Sequence, residues 1–134
     1  MRIIAILVVG IVAFYVVKYF TATKPTDSGA PMVAVTVPTM DPKMITGEKL
    51  FNDNCAACHG AAASGRDGIG PPLIHKIYEP SHHGDAAFLL AAKRGVRAHH
   101  WPFGNMPVVE NVNETDVQRI VDYVRFIQRA NGIN

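Results

Sequence analysis

The chain has 134 residues, of which 49% are hydrophobic and 18% are charged, and its formal net charge is +2. This length accommodates one small domain together with an apolar segment outside it. In residues 31–134 the basic and acidic residues are equal in number, which excludes the basic excess expected of a nucleic-acid-binding protein.

The first predicted element is an apolar helix in residues 1–20, running from residue 3 with Lys18 as its only charge. At about 1.5 Å per residue it would measure roughly 27 Å, close to the thickness of a bilayer core. We therefore predict a transmembrane anchor. The alternative is a cleaved secretory signal, which normally has a shorter apolar core and a small-residue cleavage site. Phe20-Thr21-Ala22 fits such a site poorly.

Residues 21–42 are predicted to form a linker. The segment is rich in Thr and Val and contains four prolines, and it lacks a sustained apolar periodicity that could bury it in a core. We expect an extended, flexible tether. In the alternative interpretation the alternating Val33, Val35 and Val37 form a strand against a partner or against the surface of the domain.

Residues 43–134 are predicted to form an all-α domain that begins with a short helix. Thr46 is a candidate N-cap, and residues 49–54 continue the helix with Leu50 and Phe51 on its apolar face. The helix leads directly into Cys55.

The sequence Cys55-Ala56-Ala57-Cys58-His59 has the C-x-x-C-H pattern by which a c-type haem is attached. The thiols of Cys55 and Cys58 are spaced to add to the two vinyl groups of one porphyrin, and the imidazole of His59 suits the iron. The pattern predicts one covalently bound haem c.

Three other interpretations explain fewer residues. A thioredoxin-like pair would need a βαβ pattern, and a zinc site would need a second pair of ligands at suitable spacing. The chain has two cysteines in all. A disulfide between Cys55 and Cys58 would close a very small ring and stabilise little by loop entropy.

Two further helices are predicted after a loop-like region rich in Gly, Pro and His at residues 61–84. Asp85 is a candidate N-cap for a helix over residues 86–94, with Gly95 as its stop. Asn113, with Asp116 three residues later, opens a last helix that ends near Gly132. Its apolar stripe consists of Val117, Ile120, Val121, Val124 and Ile127.

Over residues 46–128 the chain resembles the class I cytochrome c family, the small single-haem carriers of respiratory and photosynthetic chains. The matching positions are Gly47, Phe51, Cys55, Cys58, His59, Gly70-Pro71-Pro72-Leu73, Leu90, Gly95, Asn105-Met106-Pro107, Val121, Tyr123 and Val124. The resemblance implies an all-α fold around one covalent haem, preceded here by the predicted transmembrane helix.

The resemblance also implies roles for individual residues. Gly47 lets the first helix cross the last at close range near Tyr123, and the carbonyl of Pro71 accepts a hydrogen bond from His59. Met106 is the candidate distal ligand of the iron. A thioether is soft and neutral, so it favours ferrous iron relative to a second histidine.

The other methionines and histidines offer alternatives to Met106. Met40 and Met44 precede the haem motif without a proline-fixed loop and are interpreted as fillers of the core. Bis-histidine ligation would use one of the five remaining histidines, which are His75, His82, His83, His99 and His100. The segment around Trp101 is longer and more aromatic than the family's minimal pattern, and we hypothesise that Trp101 and these histidines contact haem propionates.

The leading hypothesis is a one-electron carrier, not an enzyme, that accepts an electron from a donor such as a cytochrome bc complex and passes it to an oxidase, a reductase or a photosynthetic centre. By resemblance, the haem domain would lie in the periplasm, held at a bacterial inner membrane by a single span. The alternative is a fixed haem subunit of a membrane oxidoreductase complex. A haem-based sensor or a peroxidase would need an open distal site, against which Asn105-Met106-Pro107 argues.

One cationic patch also has two interpretations. Lys93, Arg94 and Arg97 are either the solvated end of a helix, where positive charge suits the helix dipole, or a docking rim for an acidic partner.

Overall fold

The computed structural model describes residues 29–134 together with Ile11 and Phe14. Within residues 29–134 the α-helices are α1 Pro42–Asn54, α2 Ala56–His59, α3 Asp85–Arg94 and α4 Glu114–Ala130. Short 3-10 helices span Ala61–Ala63 and Lys76–Tyr78. The described residues contain isolated bridges but no β-strand, so the all-α prediction is confirmed for this part of the chain.

The predicted anchor at residues 3–20 lies outside the described residues, apart from Ile11 and Phe14. In the part of the chain that the structure describes, no helix combines the length and the apolar character needed to cross a bilayer. Membrane anchoring stays a prediction from the sequence.

From Gly29 onward, the second half of the predicted linker lies extended against the domain. Met32 and Val33 both donate backbone N–H groups to the carbonyl of Ser64, at 3.1 Å. Thr36 exchanges two hydrogen bonds with the side chain of Asn131, at 2.8 and 2.9 Å. Val33 packs against the core. These residues are thus extended on the surface of the domain, as the alternative interpretation expected, but they form no β-strand.

Helices α1 and α4 cross at Gly47, and this contact organises the core. A Cβ atom at Gly47 would lie 2.5 Å from the Arg119 carbonyl oxygen and 2.9 Å from Tyr123 Cβ. One turn later, the rings of Phe51 and Tyr123 pack with centroids 5.6 Å apart. The helices approach this closely because residue 47 has no side chain, as the resemblance implied.

The predicted start of α1 is wrong. The helix begins at Pro42, and the Asp41 carboxylate caps it by accepting a hydrogen bond from the Met44 N–H at 2.9 Å. Proline suits the first helical position, where its missing N–H costs nothing. Thr46 lies inside the helix and donates its hydroxyl to the Pro42 carbonyl at 3.1 Å.

Helix α3 ends at Gly95 as predicted, but Asp85 does not cap its start. Gly84 occupies the N-cap position without a side-chain hydrogen bond, and Asp85 is the first helical residue. The Asp85 carboxylate instead accepts a hydrogen bond from Arg125 Nε at 2.8 Å. The carboxylate that the local sequence predicted as an N-cap is therefore bound by Arg125 of a distant helix.

The predicted cap and apolar stripe of α4 are both confirmed. Asn113 and Asp116 form a reciprocal capping box, and all five residues of the predicted apolar stripe are buried. The helix also buries two polar side chains, Arg125 and Gln128. Gln128 Nε2 donates to the Leu73 carbonyl at 2.8 Å, and its Oε1 accepts from Arg125 Nη1 at 2.6 Å.

Arg125 joins α4 to the loop before α3. Its guanidinium donates to Asp85, to the Tyr78 carbonyl at 2.6 Å and to the His83 carbonyl, and its Cζ lies 4.9 Å from the centre of the Phe88 ring. Five N–H donors in a planar fork allow one side chain to bind several acceptors at once.

We expect Arg125→Met to lower the free energy of unfolding by about 2–4 kcal/mol, because hydrogen bonds to charged groups contribute about 1.5–3 kcal/mol each and the part-buried carbonyls of Tyr78 and His83 would each lose a donor. Denaturant titration measures the change. Arg129→Met is the matched control, since Arg129 is exposed on the same helix. Equal effects of the two substitutions would contradict this role of Arg125.

Candidate haem site

A cavity of about 500 Å³ opens between the haem motif, α3, α4 and the loop at residues 96–109. Cys55, Cys58, His59 and Met106 all line it. Most of the remaining lining is apolar. It includes Phe51 on α1, Leu73 in the loop before α3, two residues of α3 (Phe88 and Leu90) and three of α4 (Val117, Ile120 and Val121). The predicted ligands therefore share one cavity although they are far apart in the sequence.

The haem motif forms a separate helical turn after α1. The backbone breaks at Cys55, with φ −124° and ψ −33°, and α2 follows as one turn from Ala56 to His59. The His59 N–H donates to the Cys55 carbonyl at 2.9 Å. This turn places the two thiols and the imidazole on the wall of the same cavity.

The His59 ring is oriented by the backbone of Pro71. Its Nδ1 lies 2.9 Å from the Pro71 carbonyl oxygen. Because a carbonyl accepts, Nδ1 carries the proton and the lone pair is on Nε2, which is the tautomer that can bind a metal. Burial lowers the pKa of His59, and the hydrogen bond to Pro71 offsets this in part, so the ring favours its neutral form.

Gly70 brings Pro71 into position. A Cβ atom at residue 70 would lie 2.5 Å from the Cys58 carbonyl oxygen, so any larger residue would push this segment away from α2. The Arg66 N–H donates to the Gly70 carbonyl at 2.9 Å and closes the loop from the other side. The glycine thus supports the contact between His59 and Pro71.

Burial raises the pKa of the Cys55 thiol to about 11, and Cys58 adds to the effect. The thiolate is the nucleophilic form of cysteine. Burial in the folded pocket therefore favours the less reactive thiol form of Cys55.

Met106 is held by backbone pairing across its loop. Met106 and Val96 exchange hydrogen bonds of 2.9 and 3.0 Å, which closes the intervening residues into a loop. Within the loop, the Asn105 side chain accepts a hydrogen bond from the Ala98 N–H at 2.9 Å. Met40, by contrast, packs against the core, in agreement with its interpretation as a filler.

Trp101 contributes an unused hydrogen-bond donor to the cavity wall. Its indole Nε1 is buried and has no hydrogen-bond partner among the residues that the structure describes. The indole N–H is near enough to the Tyr78 hydroxyl to offset in part the rise in the pKa of Tyr78 that burial causes. Both residues line the cavity, so Trp101 can donate to an acidic group bound there.

The other histidines divide into two groups. His75 packs edge-on against Trp101, with ring centroids 5.1 Å apart. The remaining four, His82, His83, His99 and His100, gather at one place on the rim, and all but His82 also line the cavity. The sequence showed two His-His pairs but gave no sign that they meet.

These features fit a haem c. The two thiols of the attachment motif, an oriented imidazole and a thioether share one largely apolar cavity, and the donor set of nitrogen and soft sulfur suits iron. The unpartnered Trp101 N–H is an available donor for a propionate carboxylate. Cys55, Cys58 and His59 would hold the group, and its bound iron would supply one-electron chemistry.

Comparison with known families supports the same cofactor. Residues 44–128 match the family described as Cytochrome c, and comparison with curated proteins gave no match. The matched region includes the haem motif, all residues of the cavity named above and most of α4. The chain belongs to the cytochrome c family, whose members carry a covalently bound haem c and transfer electrons.

Proposed function

We propose that the chain is a one-electron carrier of a respiratory or photosynthetic chain, in which His59 and Met106 would ligate the iron of haem c. The observation that carries the proposal is the shared cavity. His59 is oriented by Pro71 at 2.9 Å, and Met106 is fixed by its pairing with Val96, so both candidate ligands have defined backbone supports.

The residues of the cavity have distinct tasks in this proposal. Bound haem supplies the Fe(III)/Fe(II) couple. The carbonyl of Pro71 strengthens His59 as a donor, the Met106 thioether favours the ferrous state, and the apolar side chains exclude water. Because the Met106 loop is closed by backbone hydrogen bonds, both ligands can be retained during electron transfer with little rearrangement.

The proposed partners are membrane redox complexes, with a cytochrome bc complex as an example of the donor and an oxidase, a reductase or a reaction centre as the acceptor. The periplasmic face of a bacterial inner membrane is the proposed location. In the cationic patch at the end of α3, Lys93 lies 3.2 Å from the Glu114 carboxylate, which offsets part of the positive charge of the patch. Arg94 and Arg97 are exposed beside it.

Absorption spectra of the haem-loaded protein test the proposal. We expect a ferric band typical of sulfur ligation, a pyridine derivative characteristic of haem c and no change in the reduced spectrum on addition of carbon monoxide. Ready binding of carbon monoxide would mean an open distal site and would replace the carrier with a sensor or catalyst. Purification with stoichiometric partners would instead indicate a fixed subunit of a complex.

Trp101→Phe tests the proposed propionate contact. Phenylalanine preserves aromatic packing but removes the buried N–H. We expect a lower reduction potential, because the propionate charge would be less compensated, and a loss of about 1.5–3 kcal/mol in the free energy of unfolding. Redox titration and denaturant titration measure the two effects. If both quantities match those of the unsubstituted protein, Trp101 does not contact a propionate.

A further inference from the structure

We propose that His82, His83 and His100 form a second metal site, for a divalent late first-row transition ion such as Zn²⁺ or Cu²⁺, at the rim of the haem cavity. One ligand atom from each of the three rings lies within 4.8 Å of the others. Neutral imidazole is a preferred ligand of these ions. The site is separate from the iron ligands His59 and Met106.

The spacing needs a small adjustment. With metal–nitrogen bonds of about 2.0–2.1 Å, the nitrogens of a tetrahedral site lie about 3.3 Å apart. The three rings must therefore close by at most about 1.5 Å from their present separation of up to 4.8 Å. His82 and His100 are exposed, so rotation of their side chains can supply this movement without disturbing the core.

His83 is the fixed member of the set. Its Nδ1 lies 2.5 Å from the Ile77 carbonyl oxygen, which assigns the proton to Nδ1 and leaves the lone pair of Nε2 for a metal. The same arrangement orients His59 against Pro71. A hydrogen bond from the second ring nitrogen to a backbone carbonyl is typical of metal-binding histidines.

The backbone that carries His82 and His83 is held by several contacts. The N–H groups of both residues donate to the Glu79 carbonyl, at 3.0 and 2.8 Å. The carbonyl of His83 accepts a hydrogen bond from the buried Arg125. A rigid backbone lowers the entropy lost when the ligands gather around an ion.

His100 comes from a different segment, the loop closed by the pairing of Val96 with Met106. A metal bound by His82, His83 and His100 would therefore link this loop to the turn at residues 79–83. The fourth position of a tetrahedral ion would be open to water or to His99, whose ring centroid lies 4.1 Å from that of His100.

The experiment uses the full, haem-loaded chain without a polyhistidine tag, and Zn²⁺ and Cu²⁺ as probes. We expect calorimetry to give one Zn²⁺ per chain, and electron paramagnetic resonance of the Cu²⁺ form to show coupling to imidazole nitrogens. Since loss of an outer-shell partner alone lowers metal affinity about 10–100-fold, His82→Gln and His100→Gln should each weaken Zn²⁺ binding at least about tenfold.

His75→Gln is the matched control, because His75 is exposed and lies outside the set. Zn²⁺ should raise the unfolding temperature of the unsubstituted protein and of His75→Gln, but not of His82→Gln or His100→Gln. The haem spectrum and helical circular dichroism show that each variant is folded. Absence of Zn²⁺ binding, or equal affinity in all variants, would overturn the proposal.

Discussion

Met106→Ala is expected to open the iron of the haem-loaded protein to exogenous ligands. The reduced protein should then bind carbon monoxide, the ferric band typical of sulfur ligation should disappear and the reduction potential should fall, because the thioether that favours ferrous iron is gone. Absorption spectroscopy and redox titration measure these changes. The effect should be large because Met106 would be one of two axial ligands.

Met44→Ala is the matched control for this experiment. Met44 is partly buried on α1 and does not line the cavity, so its truncation should change stability without changing the spectrum. An unaltered spectrum in Met106→Ala would remove the assignment of Met106. In that case one of the cavity-lining histidines, His83, His99 or His100, would be the distal ligand.

Gly47→Ser should destabilise the domain by about 1–3 kcal/mol or more, the usual cost of overpacking a core. The new Cβ would lie 2.5 Å from the Arg119 carbonyl oxygen, so α1 and α4 would have to separate. Because Tyr123 and Phe51 pack beside this crossing, the separation would also loosen the cavity wall. Denaturant titration of the haem-loaded protein measures the loss.

Gly84→Ser provides the same chemical change at a permissive position. A Cβ atom at Gly84 would have its nearest neighbour, the Pro80 carbonyl oxygen, at 3.7 Å, and serine is a favourable N-cap residue for α3. Its stability should be unchanged or slightly higher. If Gly47→Ser proved as harmless as Gly84→Ser, the close crossing of α1 and α4 would not limit stability.

The cofactor was predictable from the sequence because its attachment is local. Cys55, Cys58 and His59 lie within one helical turn, and no tertiary contact is needed to recognise their spacing. The same holds for α4, where the capping residues and the apolar stripe are read from a continuous segment. The family resemblance predicted the roles of Gly47, Pro71 and Met106. These roles depend on contacts between segments that are far apart in the sequence.

The errors at the two helix starts have different causes. At α1, Asp41 followed by Pro42 is itself a local start signal, because proline suits the first helical position, and the prediction of Thr46 overlooked it. Asp85 is a good cap by type, but Arg125 reaches it from 40 residues away. Whether a carboxylate caps its own helix or binds a distant side chain depends on how the helices pack, and a local sequence pattern does not contain this information.

The sequence by itself determined the haem motif, the helical class and the last helix, because each depends on residues that are neighbours along the chain. Tertiary structure alone decided that Arg125 is buried among backbone carbonyls, that Val96 pairs with Met106 and that two separate His-His pairs form one cluster. These features depend on the distances between segments far apart in sequence, and only the packing of α1, α3 and α4 around one cavity sets those distances.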